Sequence, residues 1–175
     1  MPLGLERRHN LGHLHFITFS CYHRLPYLET TKPKEILELV IERTRRSHNF
    51  LLYAYVLMPE HIHLLLSEPK NHSLSSTIRV LKGESSKLLK GTRDHFWQPR
   101  YYDFNVFTTS KFVEKVQYIH RNPVTRSLVT KPEDYPWSSF NHYATGKPSP
   151  NRDRLRRNSP QATGSRHLNR AHIRF

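Results

Sequence analysis

The sequence predicts an α+β fold, a small antiparallel sheet with helices on one face and a further helix appended at the end. Three observations carry it. Strand-like and helix-like runs follow one another in the order β-α-β-β-α-β-α. The two most apolar runs, 50–58 and 61–67, are separated only by Pro59-Glu60, so they read as a hairpin. Hydrophobic residues make up 36% of 175 positions, enough for one modest core.

Taken in order, residues 13–22 (HLHFITFSCY) alternate and are rich in aromatic and β-branched side chains, as a half-buried strand requires. A loop follows around Arg24-Leu25-Pro26. Residues 34–47 read as a helix opened by Pro33, with Ile36, Leu39 and Val40 at core spacing. The hairpin comes next. Residues 73–89 form a second helix, with Leu74, Ile78 and Leu81 on one side. The aromatic stretch 96–107 (FWQPRYYDFNVF) ends in a strand, and 111–122 is a third helix that Pro123 is expected to stop. This β-α-β-β-α-β order is the split βαβ, ferredoxin-like sandwich. The fold hosts unrelated activities, so function has to be read from a site.

Composition narrows the classes. Lys and Arg number 28 against 14 Asp and Glu, a formal charge of +14. Half of that excess lies in residues 147–175, where eight basic residues face Asp153 alone. That stretch has almost no apolar periodicity and reads as a disordered basic arm following a domain over 1–146. Nucleic acid is the expected partner of such a chain. No run is long and apolar enough to span a bilayer, and the first residues show no signal-peptide core, so a cytoplasmic, nucleoid-associated protein is expected. A single cysteine, Cys21, excludes an internal disulfide framework and a cysteine zinc cluster.

With thirteen histidines, a His-x-His spacing is expected about once by chance, and it occurs twice, at His13/His15 and His61/His63. On a strand, positions i and i+2 share a face. His61 and His63 therefore point the same way, with Ile62 opposite, and make a good half-site for a divalent cation, although an isolated pair of this kind is more often two surface or satisfied core histidines. On the third helix, Phe112, Val116 and Ile119 make the buried stripe. Tyr118 and Asn122, one turn apart, share another face with Lys115. A phenol, an amide oxygen and two imidazoles around a metal suffice for attack on a phosphodiester. Tyr118 alone would read as a half-buried packing residue. His120 lies two residues on and should point elsewhere.

These segments resemble a known family. Met58-Pro59-Glu60-His61-Ile62-His63-Leu64-Leu65-Leu66 is similar to the strand motif of the HUH single-strand DNA endonucleases of the transposase type. Tyr118-Ile119-His120-Arg121-Asn122-Pro123-Val124 and Asp134-Tyr135-Pro136-Trp137-Ser138-Ser139-Phe140 resemble the tyrosine helix and trailing motif of REP-associated tyrosine transposases. The likeness runs in order over residues 10–146. It implies cleavage of one DNA strand at or near a hairpin, with the tyrosine linked to the 5′ phosphate, a free 3′ hydroxyl, and a second transfer that rejoins the ends without ATP. Carried over, Tyr118 is the nucleophile, and His61, His63 and Asn122 hold Mg²⁺ or Mn²⁺. Related insertion-sequence enzymes carry glutamine one turn after the tyrosine; asparagine fits the REP-associated branch. Single-stranded or hairpin DNA is the implied partner, and both monomer and homodimer stay open.

Candidate DNA contacts are Arg79, Lys82 and Lys87 on the second helix and Lys115 and Arg121 on the third. Trp97, Tyr101, Tyr102 and Phe104 are candidate base-stacking residues, most of them expected in the core. Two rival readings remain on the same fold: a catalytically silent DNA-binding module, and a phosphodiesterase in which water attacks and Tyr118 is structural.

Overall fold

Strand β1 (Leu14–Ser20) lies inside a four-stranded antiparallel sheet with β2 (Leu52–Leu57), β3 (His61–Ser67) and β4 (Tyr102–Val106), in the order β2-β3-β1-β4. β3 comes between β1 and β2, which is the split βαβ arrangement expected. The structure is a computed structural model and describes residues 12–146; the arm expected over 147–175 lies outside the described residues.

Alternation along β3 sorts its side chains between two cores. Ile62, Leu64 and Leu66 enter one with Ile17, Phe19, Leu37, Ile41, Leu74, Ile78 and Leu81. Here α1 (Thr31–His48) and α2 (Leu74–Leu89) pack side by side on the sheet. Leu65 enters the other core with Phe16, Ala54, Val56, Val116 and Ile119, under α3 (Thr109–Thr125). The two crossover helices thus share one face, and the appended helix covers the opposite one. Local chemistry fixes the helix ends. The Ser73 and Thr108 hydroxyls accept from the Ser76 and Lys111 amides at 3.2 Å, and Asn49 closes α1 in the left-handed region.

Two expectations are corrected. Leu39 is 49% exposed, and the buried stripe of α1 is Leu37, Val40, Ile41 and Thr44. Both sets satisfy a one-turn spacing; packing against α2 and the sheet selects the second. Pro123 does not stop α3, which runs two residues further. Lacking an N–H, it removes one helical bond at the final turn, while the Arg126 amide still reaches the Asn122 carbonyl at 3.0 Å.

The trailing segment closes the outer edge of β2. Ser138 bridges Val56, the Leu57 amide donates to the Trp137 carbonyl at 2.8 Å, and the Ser139 amide donates to Tyr55 at 3.0 Å. The Tyr135 hydroxyl donates to the Leu57 carbonyl at 2.6 Å, just before the turn that leads to His61. α4 (Phe140–Thr145) follows.

Candidate metal and nucleophile site

β3 presents His61 and His63 on the face covered by α3, both buried. Their Nε2 atoms lie 3.0 Å apart. Each ring is held from behind. His61 Nδ1–H donates to Glu60 Oε1 at 3.1 Å, and His63 Nδ1 is hydrogen-bonded to the Thr18 hydroxyl on β1 at 2.6 Å. An outer partner on Nδ1 that leaves Nε2 facing inward is the usual support of a metal-binding imidazole. Burial is the main force lowering the proton affinity of both rings. His63 is pushed down to about 3, with His61, Arg24 and Lys115 adding to the effect. For His61, Glu60 opposes the shift without reversing it. Both are therefore neutral near pH 7, the state in which a ring nitrogen can ligate.

α3 supplies the rest. Asn122, in its last turn, brings its amide to 3.3 Å from His63 Nε2. Its Oδ1 is buried with no hydrogen-bond partner among the described residues. Leaving such an acceptor dry costs about 1–3 kcal/mol, and an orphan of this kind calls for a functional explanation. A half-turn of the amide exchanges oxygen and nitrogen, which brings three neutral donors together. Neighbouring ligands about 3 Å apart suit near-octahedral coordination at about 2.1 Å, as Mg²⁺ demands. The residues fit a divalent cation that accepts mixed nitrogen and oxygen donors.

Tyr118 lies one turn before Asn122, half exposed, with its ring edge-on to His63 at 5.3 Å and to Phe16 at 5.8 Å between centroids. Lys115 Nζ sits 6.0 Å from the Tyr118 ring centroid and closer still to Phe16 and Phe104. Nucleophile candidate and histidine pair thus meet within a single chain.

The model of the family described as "Transposase IS200 like" matches residues 9–122. The chain belongs to this family. A REP-associated tyrosine transposase of Escherichia coli K12 is 30% identical over 71% of this chain and 74% of its own length. A relative from Haemophilus influenzae is 26% identical over 74% of this chain and 80% of its own. The solved structure of a REP-associated tyrosine transposase bound to a REP hairpin has a TM-score of 0.71 at 27% identity, covering 83% of this chain and 89% of that one. The resemblance, the α+β fold and the transposase class expected from the motifs all stand on these likenesses.

Within this IS200-like transposase the candidate DNA contacts separate. Lys115 lies on α3 beside His63 and the Tyr118 ring, and Arg121 is exposed on the same helix, whereas Arg79, Lys82 and Lys87 lie on α2, across the sheet. The Lys82 ammonium donates to the Gln98 and Pro99 carbonyls at 2.6 and 2.9 Å, and Lys87 pairs with Glu84. Trp97 is core, donating to Ser85 at 2.9 Å, while Tyr102 stays 43% exposed. His120 points away from the site, to Ser139 and the Phe140 and Tyr143 rings. His15 lies on the opposite sheet face from His63, between Asp103 and Glu68 at 2.8 and 3.4 Å, so the first His-x-His is no half-site. Sequence reading missed Thr18 and Glu60. An acid directly before a ligand histidine is a signal for the second; nothing in the pattern of β1 marks the first.

Proposed function

We propose that this transposase cleaves and rejoins single-stranded DNA at a hairpin repeat through a covalent link between Tyr118 and a 5′ phosphate. The observation that carries it is the meeting of Tyr118, His61, His63 and the orphaned Asn122 oxygen on one face of one chain. The Tyr118 oxygen attacks phosphorus as its proton leaves, the P–O3′ bond breaks, and the 3′ oxygen gains a proton. The phosphotyrosine keeps the bond energy, and a 3′ hydroxyl attacking the same phosphorus reverses the step. Lys115 holds positive charge beside the ring as the phosphate comes up to it. His61, His63 and Asn122 would hold Mg²⁺ or Mn²⁺, which supplies Lewis-acid polarisation of a phosphoryl oxygen. The completeness of this set argues against a silent binding module.

The likeness to a transposase solved with a REP hairpin supports hairpin DNA as substrate. No helix among the described residues is long and apolar enough to cross a membrane. The proposed DNA substrate supports a nucleoid-associated enzyme. The test is incubation of the full chain with labelled single-stranded hairpin DNA and Mn²⁺, run on a denaturing gel. The wild type forms a covalent adduct. Tyr118→Phe forms none and still binds the hairpin. Cleavage without an adduct would instead show attack by water.

A further inference from the structure

Beside the histidine pair, one carboxylate oxygen serves three groups. Glu60 Oε1 accepts from His61 Nδ1 at 3.1 Å and forms an ion pair with Arg126 Nη2 at 2.9 Å, and Arg24 Nη2 stands 3.8 Å away. Glu60 is buried, but both guanidiniums are half exposed or more. One buried carboxylate between two guanidiniums leaves a net positive charge at the mouth of the site.

Arg126 lies one turn beyond Asn122 and two beyond Tyr118, so it continues their row along α3. Arg24 comes from the loop after β1, and its backbone is held at φ 55°, following His23 at φ 52°. Two successive non-glycine residues in the left-handed region persist only where the surroundings impose them. Here the loop is strapped to the Pro59-Glu60 turn on both sides. The Cys21 amide donates to the Glu60 carbonyl and the Leu28 amide to the Pro59 carbonyl, each at 2.8 Å. Neutralising Glu60 does not require this. His61 and Arg126 already occupy the oxygen, and 3.8 Å is too long for a hydrogen bond. The strapped loop holds Arg24 where its donor fork is free for an acceptor from outside.

We propose that Arg24 and Arg126 form a clamp for a backbone phosphate of the DNA strand that runs through the site, next to the phosphate attacked by Tyr118. A guanidinium presents paired donors that match phosphate oxygens, which an ammonium does not. Glu60 orients the pair and ties it to His61, so the strand is registered against the same turn that positions the imidazole. The clamp rests on the reading of the site as a DNA strand-cleavage centre, but its test does not depend on cleavage.

The test uses the full chain carrying Tyr118→Phe, without divalent metal, and a fluorescent oligothymidylate of about 20 nucleotides. Affinity is measured against salt. Each phosphate contact contributes about 0.7 to the slope of log K against log salt for single strands. Because both arginines serve one phosphate, the double variant Arg24→Gln/Arg126→Gln should lower the slope by about that amount. Arg43→Gln, which removes an arginine charge from the exposed surface of α1 across the sheet, should leave it unchanged. Arg24→Lys keeps the charge and should keep the slope while weakening affinity through the lost fork. An equal fall for Arg43→Gln would show diffuse attraction and overturn the clamp, as would an unchanged slope for the double variant. The transposase reading fails on a different result, the absence of an adduct with the wild-type chain.

Discussion

Asn122 buries a carbonyl oxygen that has no hydrogen-bond partner among the described residues, beside two imidazole nitrogens, and the proposed metal would relieve that cost. Asn122→Ala should therefore leave the metal-free melting temperature unchanged or raised, and abolish most of the rise that Mn²⁺ gives the wild type. At a hundredfold excess over Kd that rise corresponds to about 2.7 kcal/mol. Melting curves with and without Mn²⁺ check both halves; an equal rise in the variant would remove Asn122 from the ligand set. His15 gives a second prediction. Burial opposes its charge, but the hydrogen bonds and charges of Asp103 and Glu68 outweigh it and hold its proton affinity above the ordinary 6.5. A histidine that holds its proton more tightly when folded stabilises the protein below that value, and the contribution is lost as pH rises through the folded pKa. His63 and His120, pushed down to about 3 and about 4, act in the opposite sense and only below 6.5. Wild-type stability should thus fall as pH rises above 6.5, and His15→Gln should flatten that limb in denaturant titrations. Parallel limbs would place the effect elsewhere.

Elements were legible where their periodicity had one solution. The hairpin of β2 and β3 could be read from two apolar runs around Pro59-Glu60, and the facing of His61 and His63 from alternation alone. α1 had two solutions. Ile36, Leu39 and Val40 satisfy the same spacing as Leu37, Val40 and Ile41, and only the neighbouring helix and sheet decide between them. Alanine scanning should show this, with Leu37→Ala costing about 2–5 kcal/mol and Leu39→Ala staying within about 0.5 kcal/mol; similar losses at both would contradict the observed stripe. The site was legible in its ligand and nucleophile candidates, whose spacings lie within single elements. Thr18, Arg24 and Arg126 reach it from separate elements by hydrogen bonds and ion pairs, and such meetings leave no period in the sequence, whereas Glu60 is marked by its place directly before His61.

At the scale of the whole molecule, α3 folds back over β3 of its own chain, so Tyr118 and His63 meet without a partner. Mixing Tyr118→Phe with His63→Ala chains should then recover no cleavage, because no single chain regains both groups. Recovery in the mixture would show that helices are exchanged between subunits. The clasp on β2 bears on where such a domain may be cut. The family match ends at residue 122, in the last turn of the tyrosine helix, yet the groups that seal the edge of β2 and fasten Leu57 lie at 135–139. A fragment trimmed to the matched region would retain every proposed ligand and the nucleophile while baring a strand edge ready to pair with other chains. A fragment meant to keep that edge closed should therefore extend through Phe140, about a turn and a loop past the last proposed ligand.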